Sequence, residues 1–205
     1  MDQNALGPRR LLLASENRGK LAELRALVEP MGVAVQAQGA LGIKAAAEPH
    51  DTFVENALAK ARHGARESGW PTLADDSGLC CEALDGAPGV RSARYAGQSA
   101  SDEQNNARLV RELASQDNRR AHYRCVVVAM RWHGDPEPLI ADGRWDGEII
   151  DRPQGAGGFG YDPHFWLPQR GCTAAQLDAE HKNRISHRAI AMRAMAALLH
   201  ERWGW

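Results

Sequence analysis

Residues 10–28 read RLLLASENRGKLAELRALV, and this stretch decides the fold. The apolar run from Arg10 to Ala14 has the length of a strand and is too short for a helix. It ends in Ser15, Asn17 and Gly19. Leu21, Leu24 and Val28 then recur at spacings of three and four until Pro30 stops the pattern. A strand, a tight polar loop and a helix therefore follow one another, with the loop side chains near the helix N-terminus. Val33 to Gln36 alternates as a second strand would.

Further along, Asp51 and Thr52 can cap a helix whose apolar stripe is Val54, Leu58, Ala61 and Ala65, with Asn56, Lys60 and His63 together on another face. Pro71 to Ala74 reads as a short strand entering Asp75-Asp76-Ser77-Gly78, and Leu79 to Leu84 resumes an extended pattern. Gly86, Pro88, Gly89 and Gly97 make an irregular loop, and Ser101 to Ala114 a helix polar enough for the surface. His122 to Trp132 and Pro138 to Ile150 read as two long strands joined around Gly134-Asp135-Pro136. Ile185, Ala189, Met192, Ala196, Leu199 and Trp203 then mark one face of a last helix starting near Ser186. Early alternation of strands and helices followed by paired long strands defines the class as α/β with a mixed sheet. The loop content suits two lobes with a cleft between them.

The 205 residues carry 25 Lys and Arg against 26 Asp and Glu, a net charge of −1. This balance excludes a basic nucleic-acid coat or a polybasic membrane-surface protein. An anionic substrate must then be held by a few local cations and backbone amides. No apolar run reaches the ~20 residues of a membrane span, and Met1 to Arg10 contains no apolar core of a secretory signal. Cys80, Cys81, Cys125 and Cys172 show no CxxC or metal-site spacing, as expected of reduced thiols in a cytoplasmic protein.

Four clusters can do chemistry. Ser15-Glu16-Asn17-Arg18-Gly19-Lys20 opens a helix directly after a strand, where amides, the helix dipole and a lysine can grip a phosphate. The spacing is not that of a P-loop, and taken alone the cluster reads rather as a helix cap with a solvated lysine. Adjacent carboxylates at Asp75 and Asp76 are costly without a cation. Mg²⁺ would supply one, and a carboxylate beside it can deprotonate water; the alternative is an Asx turn. Upstream, one of Glu48, Asp51 and Glu55 can complete a metal shell. The loop Gly157-Gly158-Phe159-Gly160-Tyr161-Asp162 offers close backbone approach, two flat rings and an acceptor, a combination suited to a nucleobase. Lys182, His187 and Arg188 lie before and at the start of the last helix, where cations oppose the dipole and an anionic or electron-rich partner would balance them.

SENRGK, TFVENALAKA, LADDSGL, GAPGVRSARYAG, GGFGYDPHF and ISHR occur in this order, and together they resemble the inosine triphosphate pyrophosphatase family from about Leu11 to Leu199. The resemblance implies an α/β fold with a long mixed β-sheet flanked by helices, and two lobes around a central nucleotide-binding cleft in a single domain over 1–205. It implies Mg²⁺-dependent hydrolysis of deaminated purine nucleoside triphosphates (ITP, dITP, XTP) to the monophosphate and pyrophosphate, by a cytoplasmic homodimer without nucleic-acid or membrane partners.

By the same resemblance, Ser15 through Lys20 and Lys60 meet the phosphates, and Asp76 accepts the proton and binds the metal beside Asp75. Ser77 contacts substrate. Phe159, Gly160, Tyr161 and Asp162 hold the base, and Lys182, His187 and Arg188 contact the nucleotide. Where the family has an acidic pair followed by Thr-Gly, this chain has Ala47-Glu48-Pro49-His50, leaving Glu48 as second metal ligand. A broader triphosphate substrate range and a nucleotide sensor without turnover are the competing expectations.

Overall fold

The computed structural model describes residues 9–205; the reading of the N-terminal segment falls on residues 1–8, outside the described residues, as do the side chains of Arg18 and Glu23. The elements in chain order are β1 (Arg9–Leu13), α1 (Arg18–Val28), β2 (Val33–Ala37), α2 (Phe53–Ser68), β3 (Thr72–Cys81), α3 (Asp102–Leu113), β4 (Arg120–Met130), β5 (Leu139–Ile149), β6 (Phe165–Leu167), β7 (Cys172–Thr173), α4 (Ala179–Ile185) and α5 (His187–Trp203). The strands form one seven-stranded mixed sheet in the order β2-β1-β3-β4-β5-β6-β7. β1 pairs in parallel with β2 and β3, whereas β6 pairs antiparallel with β5 and β7. The expected α/β class with a mixed sheet holds.

The chain divides into two compact units. Among the described residues, the first comprises 9–76, 126–142 and 191–205, the second 77–125 and 143–190. The first unit centres on Ala14, Ala57, Ala61, Ala74, Val126, Val128 and Met130, with Phe53 and Leu58 packed against them. Small residues let α2 lie close to the sheet. A Cβ added at Gly64 would stand 2.8 Å from the Thr72 methyl and 3.0 Å from a Leu12 methyl. The buried stripe of α2 is Ala57, Ala61, Gly64 and Ala65 with Leu58 packed beside it; of the expected stripe Leu58, Ala61 and Ala65 hold, and Val54 is corrected to an exposed position. Thr52, not Asp51, caps α2 by accepting the Glu55 N–H.

The second unit is built around aromatic rings: Tyr95, Tyr123, Trp145, Tyr161 and Phe165, with Leu79, Leu109, Leu113 and Ile149. α3 lies on the surface as expected, with Asn105, Asn106, Leu109 and Leu113 buried on its inner face. Its start is fixed by the Ser101–Gln104 capping box. The short helix α4 has no counterpart in the sequence reading. In its seven residues only Ile185 gives an apolar signal, and the Asp178 cap is what starts it.

The largest correction concerns Asp75-Asp76-Ser77-Gly78, which forms no turn. β3 runs through it without a break, and a short 3-10 turn at Glu82–Leu84 replaces the expected extension. Two adjacent carboxylates thus sit inside a buried strand, which requires cations on both its faces. All four cysteines are free thiols, Cys81 and Cys125 buried, Cys80 and Cys172 half-buried. Among the described residues no helix is long and apolar enough to cross a membrane.

Candidate active site

In the first unit the site begins at the end of β1. Asn17 caps α1, its Oδ1 accepting the N–H groups of Gly19 (2.9 Å) and Lys20 (3.2 Å), while Ser15 Oγ accepts the Asn17 N–H (3.2 Å). The capping reading of this loop is therefore realised. The lysine is not solvated: Lys20 Nζ donates to both oxygens of Asp75, at 2.8 and 2.7 Å, and the Asp75 side chain is 1% exposed. Glu16 is exposed, with its side chain beside Gly39.

Asp76 turns the other way and is served by α2. Lys60 Nζ donates to Asp76 Oδ1 (3.1 Å) and to Glu48 Oε1 (2.7 Å), and Asn56 Nδ2 donates to Asp76 Oδ2 (3.3 Å). Asn56 also exchanges two 3.1 Å bonds with the His50 backbone, pinning the segment that carries Glu48. Sequence reading placed Asn56 on the face of Lys60 without assigning it a role; the four-residue spacing was the available signal.

Burial raises the pKa of Asp76, against the pull of Lys60 and the Asn56 bond. Burial also works against the charge on Lys60, but Asp76, then Glu48, outweigh it and raise its pKa. A desolvated carboxylate with raised proton affinity is what a general base for water needs.

Two hard carboxylates from separate segments converge on one positive charge, so the donor set at Glu48 and Asp76 fits a hard divalent cation. Among the described residues no group of three or more His, Cys, Asp or Glu side chains gathers for a metal. Two such ligands would leave the remaining positions of a cation such as Mg²⁺ to water and substrate oxygens.

The second unit holds the other predicted residues. Ser77, next in β3, is partly exposed. In the glycine loop only Phe159 presents its ring, at 58% exposure, with Lys182 Nζ 4.8 Å and the Arg188 guanidinium 5.7 Å from the ring centre. Tyr161 does not offer a second flat surface: it is buried, and its hydroxyl donates to the Ser92 carbonyl (2.8 Å). Asp162 is also buried. It accepts the Phe159 N–H (2.8 Å), the Lys182 ammonium and the Tyr123 hydroxyl (3.3 Å), so it organises the loop.

The glycines serve this packing. A Cβ at Gly158, whose φ is +75°, would stand 2.1 Å from the Asp162 carboxylate, and one at Gly157 2.8 Å from the Ala175 carbonyl. Gly160 donates to Asp102 (2.6 Å) and accepts from Asn106 (2.9 Å). His187 opens α5, buried, with its ring stacked on Tyr123 at 4.7 Å and 10°. Sequence reading missed Asp102, Asn106 and Tyr123.

The protein is thus of the α/β class, with a capped polar loop after β1 and two lysine–carboxylate clamps in its first unit and an exposed aromatic flanked by cations in its second. The Ham1 family profile matches residues 11–198, and the chain belongs to that family. It is 60% identical over 197 residues to a dITP/XTP pyrophosphatase of Bordetella parapertussis, covering 94% of this chain and 92% of that protein. A dITP/XTP pyrophosphatase of Ralstonia nicotianae is 62% identical, over 90% of this chain and 93% of its own length. Among solved structures, a HAM1 protein from Coxiella burnetii superposes with a TM-score of 0.91 at 44% identity, covering 94% of this chain and 99% of that one.

Proposed function

We propose that this chain hydrolyses deaminated purine nucleoside triphosphates (ITP, dITP and XTP) to the monophosphate and pyrophosphate, clearing them from the nucleotide pool. We further propose that it uses Mg²⁺, works in the cytoplasm as a homodimer, and is a single pyrophosphatase domain over residues 1–205. The observation that carries this reading is the pair of lysine–carboxylate clamps, Lys20–Asp75 and Lys60–Asp76–Glu48, in a chain whose relatives bear the dITP/XTP pyrophosphatase name.

In this reading Glu48 and Asp76 hold the metal, which when bound neutralises charge on the triphosphate oxygens. Asp76 takes a proton from a water as its oxygen attacks the α-phosphorus. The bond from that phosphorus to the α–β bridging oxygen breaks, and its electron pair leaves with pyrophosphate. Lys20 and Lys60 exchange their carboxylate partners for phosphate oxygens and balance the charge of the leaving group. The protein's task is positioning and electrostatics, because phosphoryl transfer needs little covalent help.

Phe159 stacks the base, and Lys182, His187 and Arg188 lie at its polar edge. A donor there pairs with the 6-oxo group of hypoxanthine or xanthine and is left unpaired by the amino group of adenine, which supports discrimination of ~10⁴. Guanine, with the same 6-oxo group, is rejected at its 2-amino group.

Hydrolysis of ITP in ¹⁸O-labelled water tests the bond cleaved. The label enters inosine monophosphate if attack is at the α-phosphorus. Label in pyrophosphate or in inorganic phosphate contradicts this chemistry.

A further inference from the structure

Tyr123 lies in β4, far in sequence from every residue assigned to the base, yet it touches two separate groups of them. Its ring lies parallel to that of His187, at 4.7 Å and 10°. Its hydroxyl donates to Asp162, whose other oxygen holds the Phe159 N–H and the Lys182 ammonium. Behind it, Phe165 tilts against the Tyr123 ring at 4.6 Å, and Trp145 stacks on Tyr123 at 6.4 Å and on His187 at 6.5 Å. All four rings are buried, so none is free to turn.

We propose that Tyr123 is a positioning residue for base selection: its ring fixes the plane of His187 and thereby the direction in which the imidazole meets the base. This rests on the reading that His187 contacts the base. The two contacts of Tyr123 differ in weight. A 3.3 Å O–H···O distance is long for a hydroxyl donor, whereas a near-parallel buried stack is firm. The ring therefore carries the effect. Hydrogen bonds to a base edge are directional, so a tilted imidazole loses the pairing that separates a 6-oxo from a 6-amino purine.

The test is steady-state kinetics on dITP and dATP for the wild type, Tyr123→Phe, Tyr123→Leu and Tyr123→Met, with His187→Ala and the double variant His187→Ala/Tyr123→Leu. Tyr123→Phe is expected to keep KM for dITP within about threefold. Tyr123→Leu and Tyr123→Met are expected to raise it about tenfold with little change in kcat, and to narrow the dITP-to-dATP ratio of kcat/KM by a similar factor. In the His187→Ala background, Tyr123→Leu should then add almost nothing.

A second readout is independent of turnover. The His187 ring protons in the NMR spectrum should sit upfield in the wild type and in Tyr123→Phe, and shift downfield in Tyr123→Met. The inference is overturned by an unchanged KM and ratio in both truncated variants, by loss of kcat alone, by an undiminished effect without His187, or by unmoved His187 resonances. Should Tyr123→Leu fail to fold, the Met variant and the NMR shift decide. A wild type that does not prefer dITP over dATP overturns the base-selection reading itself, and the ring-proton shift still decides whether Tyr123 orients His187.

Discussion

Asp75 and Asp76 are neighbours in β3, yet they take their cations from different helices: Lys20 of α1 clamps Asp75, and Lys60 of α2 holds Asp76. Alternation along a strand sends successive side chains to opposite faces, and this is what lets two carboxylates share one buried strand without facing each other. It also separates their work. Asp75 is fully engaged with Lys20, whereas Asp76 shares Lys60 with Glu48 and has its proton affinity raised by burial.

Asp76→Asn should therefore lower kcat on dITP by about 10²–10⁴ while leaving the fold intact, because Lys60 keeps Glu48 and Asn56 still faces an amide. Kinetics beside a thermal melt would check this. Near-normal kcat would remove Asp76 from the role of base.

Lys60 occupies the same two carboxylates that fit a divalent cation. Lys60→Met leaves Glu48 and Asp76 repelling one another without a cation. Mn²⁺ binding to the nucleotide-free protein, followed by electron paramagnetic resonance, should then tighten about tenfold, while kcat/KM on dITP falls for want of a charge on the leaving group.

Acid sensitivity should trace to the β4–β5 connection. Asp135 accepts from the Arg131 side chain and from the Arg131 and Glu137 amides, and the Arg131 guanidinium first, then these amides, hold its pKa at about 2 against the ordinary 3.8. A depressed carboxylate pKa stabilises the fold above the unfolded value. The contribution is complete above about pH 5 and is lost as the pH falls through 3.8 toward 2. With Arg131 partly in solvent it amounts to about 1–2 kcal/mol. The melting temperature of Asp135→Asn should lie below that of the wild type at pH 6, and the gap should narrow steadily as the pH falls through 3.8 toward 2.

Gly64→Val tests the close approach of α2 to the sheet. The Thr72 and Leu12 methyls already stand where its Cβ would go, so a loss of about 1–3 kcal/mol is expected. For a chain of this length that is a fall of about 2–10 °C in melting temperature.

Much of this was legible in the sequence. The RLLLA strand, the helix ended by Pro30, the two long strands and the last helix all follow from local periodicity. Local pattern failed where tertiary partners decide. Asp75-Asp76-Ser77-Gly78 carries every signal of a turn, and it is strand only because Lys20 and Lys60, distant in sequence, neutralise it. Val54 reads as core from its size alone, whereas the tight packing of α2 selects Ala57, Ala61 and Gly64. Motifs name the candidate site residues, but the lysine–carboxylate pairing among them is tertiary. Tyr161 and Asp162 are buried and bonded within the protein, which no local pattern announces, and Tyr123 gives no signal beyond that of an ordinary buried strand aromatic.

A metal-dependent preference for deaminated purines is tested by pyrophosphate release from dITP with Mg²⁺, run beside dATP and dGTP and repeated with EDTA. Fast release from dITP that EDTA abolishes, with little from the other two, is predicted. Comparable release from all three nucleotides, or none from the folded protein, would contradict it.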